Sequence, residues 1–312
     1  MLRARPVRAV ATSLAAAALW AGGPDRPHAL SPAAGPPARS AASCHAPLPE
    51  CVAELERTLA SVRDGLGCDH RAPFPALYTV LQRTLRDTLV GRPGFFTEPS
   101  WVAGDINPAF VGRYLTAYEA DRSGHFVPQP WRIAFDAARQ GGTNAGQDAL
   151  LGMSAHIQYD MPYALATSGL VRADGTSRKA DYDRFQAVLD RTYGPAVRDI
   201  AVRYDPLLHL ADDRWNPVAH LTGHELMVLW RQKAWHHARR LVAARTPGQT
   251  RAVTRAIETN AVTWAATLAA VRTPAYDSVR DAHCRRHSGG GVATAPAGRR
   301  GAPAHGPASP AG

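Results

Sequence analysis

The sequence predicts an all-α fold: a single multi-helix bundle-like domain between N- and C-terminal segments expected to be disordered. Three observations lead there. Apolar residues recur at spacings of three and four through most of residues 48–287. Pro, Asn-Pro and Gly-Gly steps punctuate that pattern at helix-sized intervals. No hairpin dipeptide stands between alternating runs, and no Val/Ile-rich series of strands occurs.

The elements follow in order. Leu48-Pro49-Glu50 opens a helix in which Val52, Leu55, Leu59 and Val62 share a face, ended by Gly65 and Gly67. Pro73 and Pro75 lead into a second, with Leu77, Val80, Leu81, Thr84, Leu85 and Thr88 in register up to Gly91. The stretch Gly94–Asp105 reads as a loop whose Phe95, Phe96 and Trp101 pack onto the body. Asn107-Pro108 reads as cap and first turn of a helix over Ala109–Asp121. Pro130 opens the next, closed by Gly141-Gly142, and Ala145–Ser168 is the longest apolar segment. Ser177 precedes a helix through Tyr193, which Gly194-Pro195 is expected to break before it resumes to Tyr204. Asn216-Pro217 begins a long helix over Val218–Arg245, Thr246-Pro247 another to Val271, and Pro274–His287 a short last one. No internal repeat is evident.

The 312 residues are 45% hydrophobic and 20% charged, enough to bury a substantial core. The formal charge of +10 is concentrated at the ends. Residues 1–43 hold five Arg and one Asp, and residues 285–312 hold four Arg and no acid, leaving 27 basic against 25 acidic groups in 44–284. Such a domain lacks the basic face of a nucleic-acid binder, so no nucleic-acid partner is expected.

Met1–Arg8 carries three Arg, and Ala9–Ala21 is an apolar run too short to cross about 30 Å of hydrocarbon, the pattern of a secretory signal peptide. The expected organisation is a signal peptide over 1–29, a Pro/Ala-rich linker over 30–43, the all-α domain over 44–287 and a Gly/Ala/Pro/Arg tail over 288–312. No transmembrane segment is expected in the mature, secreted protein. Behind an export signal, the four cysteines Cys44, Cys51, Cys68 and Cys284 should pair. A helix separates Cys51 from Cys68, which favours Cys44–Cys51 with Cys68–Cys284.

Chemistry points to one place. Leu151–Leu165 sets His156, Gln158 and Asp160 inside an otherwise apolar helix. His156 and Asp160 are i and i+4, so imidazole and carboxylate either converge on a divalent metal such as zinc or hydrogen-bond each other in the core. Pro162 lacks an N–H and presses on the carbonyl of Gln158, which should kink the helix beside the pair. His220 and His224 share a face of the long helix and could complete a metal site, whereas Glu225 follows the second imidazole, the wrong place for a zinc protease helix. Arg231 could steady substrate negative charge. No nucleophile elbow, phosphate loop or dinucleotide fingerprint is present.

The run Gly152-Met153-Ser154-Ala155-His156-Ile157-Gln158-Tyr159-Asp160-Met161-Pro162-Tyr163-Ala164-Leu165 resembles the hallmark Gly-Met-Asn-Ala-His-Ile-x-x-Asp-Leu-Pro-x-Ala-Leu of the bacterial domain-of-unknown-function family 5995 (DUF5995), with Ser154 in place of Asn. Leu77-Tyr78, Trp131-Arg132 and Arg231-x-x-Ala234-Trp235-x-x-Ala238 support the resemblance, which spans about Cys51–Arg272. It implies a helical fold and a pocket but no reaction. Two function classes remain. One is a metal-assisted hydrolase of a phosphoester or other small polar substrate, with His156, Asp160 and His220 or His224 as metal ligands and Arg231 on the substrate. The other is a non-catalytic helical module that binds a ligand or partner, with His156–Asp160 as a buried structural pair.

Overall fold

A computed structural model describes residues 46–287. The expected signal peptide, the linker, Cys44 and the tail from 288 lie outside the described residues. The helices are α1 (Leu48–Leu66), α2 (Pro73–Gly91), α3 (Asn107–Arg122), α4 (Gln129–Gln140), α5 (Ala145–Ala155), α6 (Met161–Ser168), α7 (Lys179–Arg184), α8 (Gln186–Arg203), α9 (Pro217–Ala243), α10 (Pro247–Ala269) and α11 (Asp277–His287). Among the described residues there is no strand, only an isolated antiparallel bridge between Val171 and Ser177. No helix among them is long and apolar enough to cross a membrane.

The apolar spacing explains the packing. Val52 and Leu59 of α1 are fully buried and face α2, whose Leu81 and Leu85 continue the same core. Helix α2 also packs against α5 and α8, while α10 buries Val253, Ile257, Ala261 and Ala265, four residues apart, and packs mainly against α4 and α5. Asn216 caps α9 as expected, its side chain accepting from Ala219 N–H at 3.0 Å, and α10 begins with a reciprocal capping box of Thr246 and Gln249.

Three local expectations are corrected. Gly194-Pro195 does not break the chain: α8 runs through Pro195 to Arg203. Gly194 leaves room there for the carboxylate of Asp213, from which a Cβ would lie 2.4 Å unless that side chain moved. The loop expected over Gly94–Asp105 contains a helical turn, Ser100–Ile106, with Trp101 and Val102 buried. Asn107 is no cap, because helix already precedes it; its amide instead pairs reciprocally with Gln82 at 2.8 and 3.0 Å.

Cys68 and Cys284 are bridged, with 5.8 Å between their Cα atoms, which fastens α11 to the connection between α1 and α2. Cys51 is also disulfide-bonded, and its expected partner Cys44 lies outside the described residues. One turn before Cys284, the fully buried Arg280 donates to the Cys68 carbonyl at 2.8 Å and pairs with Asp281 at 3.0 Å. Replacing Cys68 and Cys284 together by Ser removes a cross-link between residues 216 apart, for which chain entropy predicts a loss of roughly 5–5.5 kcal/mol. Urea unfolding of this double variant measures the loss, and amide exchange should accelerate first in α11. An unchanged midpoint would mean that the Arg280 contacts alone hold the helix.

Candidate functional site

The site region is built on two π-helical turns, each closed immediately before a proline. In the first, Ser100–Ile106, the N–H of Asn107 reaches the carbonyl of Val102, five residues back, and Pro108 follows. In the second, His156–Asp160, the N–H of Met161 reaches the carbonyl of His156, again five back, and Pro162 follows. A proline has no N–H and crowds the carbonyl four residues earlier, so a wider turn is where a continuous helix can absorb it. The kink expected at Pro162 is therefore this turn, with α5 and α6 continuing on either side.

The widened turn drives His156 into the core. Its ring is fully buried and stacks on Phe110 at 3.4 Å between centroids and 7° between planes. Tyr78, Phe74 and Trp131 surround it at 5.0, 5.6 and 5.8 Å. Phe74 comes this close because Gly152 has no side chain: a Cβ there would sit 2.5 Å from the Phe74 ring. Asp160 Oδ2 accepts from Trp131 Nε1–H at 2.8 Å and lies 2.9 Å from His156 Nδ1. An ionised carboxylate only accepts, so Nδ1 carries the ring proton and Nε2 is left as a bare acceptor, with no partner among the described residues. Burial pushes the imidazole below its ordinary pKa, against the opposing pull of Asp160. Further along the same turn, Gln158 donates to Ser154 at 3.2 Å and accepts from Asn260 at 2.7 Å, tying α10 to the hallmark run.

The proposed metal ligands do not come together. No three or more His, Cys, Asp or Glu among the described residues are placed to hold one ion. His224 Nδ1 contacts Asp190 of α8 at 2.8 Å, and His220 lies against Tyr193 at 4.8 Å. Asp160 takes up His156 Nδ1, and the free Nε2 faces aromatic rings with no second or third ligand beside it among the described residues, so the residues present do not fit a metal centre.

Arg231, expected to steady substrate negative charge, is a buried side chain. Only 4% of it is exposed, and no carboxylate among the described residues lies within 4.0 Å of it. Its guanidinium donates to Gln186 Oε1 at 2.9 Å and to the Tyr182 carbonyl, and lies over the Tyr182 ring at 4.3 Å. Burial lowers its pKa, partly offset by Tyr182 and by the more distant Asp183 and Asp190.

Arg231 lines a cavity of about 50 Å³ whose wall is almost entirely apolar; by the same measure one water needs roughly 10–15 Å³. The first π turn contributes Trp101, Val102, Ile106 and Asn107, and the second contributes Ile157 with Met161 beyond it. Tyr182, Phe185 and Leu189 close the side formed by α7 and α8. Tyr78 and Phe110 belong both to this wall and to the cage of His156. The cavity and the imidazole thus share those two rings, and His156 and Asp160 do not line the cavity. Sequence reasoning missed this wall. The signal that could have found it is the Asn107-Pro108 step, read as a cap, which matches Met161-Pro162 in local grammar.

Two outcomes follow. The His156 and His237 imidazoles are held below the ordinary value, His237 at about 4 through burial and then Lys233, Arg240 and His236. The unfolded chain therefore binds more protons below about pH 6.5, and the stability these neutral rings contribute above that pH is lost as it falls toward their folded values. Denaturant midpoints from pH 7.5 to 4.5 should decline less steeply in His156→Gln and His237→Gln than in the wild type; parallel profiles would contradict the buried neutral state. Gly152→Ala forces Phe74 to move and should lose about 1–3 kcal/mol, a typical overpacking cost, whereas wild-type stability in that variant would show that the cage yields freely.

Among curated proteins and among solved structures, no match to this chain was found. Residues 49–271 match the group described as "Family of unknown function (DUF5995)". This stretch contains both π turns, the aromatic cage, the cavity wall and Arg231, and the chain belongs to that family.

Proposed function

We propose that this protein is a binding module rather than a hydrolase, and that it takes a small, largely apolar molecule into the cavity between its two π turns. The observation that carries this reading is an apolar cavity with a single buried cation in its wall, backed by packed rings. Pockets for small ligands have this character, with mostly apolar walls and few polar groups. Met161, Phe185 and Leu189 are half-buried, so a ligand would enter past them.

The hydrolytic alternative needs water and substrate at His156, and the ring is enclosed by Phe110, Tyr78, Phe74 and Trp131. Asp160 engages Nδ1, and the free Nε2 is buried and shut off from solvent. Under the binding reading the pair is a strut that fixes the back of the cavity wall. The Cys68–Cys284 bridge supports a working place in an oxidising compartment, and with the N-terminal Arg-rich and apolar segments it supports export.

Benzene is the neutral probe; it is larger than the 50 Å³ now open, so its entry requires the half-buried Met161, Phe185 and Leu189 to move outward. In methyl-detected NMR it should shift Leu81, Ile106 and Ile157 and leave Val52 and Leu59 unmoved. Leu189→Trp, which fills the cavity from its outer side, should abolish the response while the protein stays folded. Shifts spread evenly over the core, or an unchanged response in Leu189→Trp, would overturn the reading.

A further inference from the structure

We infer that the ligand is an amphipathic monoanion, a short acyl or aryl carboxylate, whose charged group sits on Arg231 while its apolar part fills the cavity; this rests on the binding reading above. A buried guanidinium is costly unless an anion compensates it. Here compensation within the chain is incomplete. The contacts of Arg231 are a side-chain amide oxygen, a backbone carbonyl and an aromatic face, all neutral. The acids that could have paired with it are committed elsewhere. Asp181, fully buried and also in the cavity wall, accepts from the N–H groups of Thr97 and Glu98 at 2.8 Å each and from Arg184 at 2.9 Å. Asp183 pairs with Lys179, and Asp190 with His224.

The other polar groups in the wall add no demand of their own. The Asn107 amide is satisfied by Gln82 in a closed pair, and the Tyr182 hydroxyl donates to the Arg231 carbonyl at 2.9 Å. The cavity therefore presents one incompletely compensated positive charge in a largely apolar surround, beside an Asp181 already paired with Arg172 and Arg184. A carboxylate suits it because guanidinium and carboxylate can form two parallel hydrogen bonds, and because one negative charge balances one positive. A cation is repelled. A neutral polar ligand leaves the charge as it was.

Hexanoate and hexanamide, matched in size and differing in charge, are the test. Titration followed by NMR should show hexanoate binding at least tenfold more tightly to the wild type, with the largest shifts at the Arg231 side-chain N–H and in Tyr182. Arg231→Met should abolish the preference, and Arg231→Lys should retain part of it. Equal affinity for acid and amide in the wild type would overturn the charge inference and leave the apolar cavity standing. A preference that survives in Arg231→Met would also overturn it, because the anion would then sit elsewhere. Failure of both probes together with benzene would remove the binding reading and the inference with it. The comparison of the two probes on the wild type needs no variant, so it decides the matter even if Arg231→Met does not fold.

Discussion

Much of this architecture depends on a missing hydrogen. Pro162 cannot donate to the carbonyl of Gln158, and the chain accommodates it by lengthening one turn, so that Met161 bonds back to His156. The extra residue in that turn rotates everything after it relative to α5. His156 and Asp160 can then close on each other and face the rings of α2 and α3, while Ile157 and Met161 turn to the cavity. The same device before Pro108 sets Trp101, Val102 and Ile106 along another part of that wall. Trp101 Nε1–H donates to the Ser168 carbonyl at the end of α6 at 3.1 Å, so the first turn is fastened to the helix that follows the second.

A polar pair in a core needs its hydrogen bonds made, and here Trp131, Asp160 and His156 Nδ1 make theirs together, while His156 Nε2 has no partner among the described residues. The result is a rigid aromatic partition with two faces. One holds a neutral imidazole away from solvent, and the other bounds an apolar space that ends at a buried cation. Chemistry that looks catalytic in sequence order, a His, an Asp one turn later and an Arg on a neighbouring helix, is thereby divided between two environments that do not meet.

The fold was largely legible because helix faces are written in local spacing. Val52, Leu55, Leu59 and Val62 mark the face of α1 that packs, and Asn216 and Thr246 mark where α9 and α10 begin. The pairing of Cys68 with Cys284 followed from where a helix must lie between thiols. What could not be read was the consequence of proline within a helix. Gly194-Pro195 looked like a break and is continuous, whereas Asn107-Pro108 looked like a beginning and is the middle of a longer helical run. In both cases tertiary contact decides, through Asp213 against Gly194 and Gln82 against Asn107. His156 and Asp160 were identified as a pair, but i,i+4 spacing alone cannot tell whether two side chains aim outward or at each other. Arg231 was singled out for charge, yet its burial without a carboxylate depends on three helices and has no local signature.

The account turns on His156 as a neutral, inward-facing ring. Nitrogen-15 NMR of the imidazole tests this most directly, since the two ring nitrogens and their protonation states give separate signals. The account predicts a proton on Nδ1 and none on Nε2 at pH 7, with both signals unchanged on addition of a stoichiometric excess of zinc. A doubly protonated ring, or a zinc-induced shift at either nitrogen in folded protein, would contradict it.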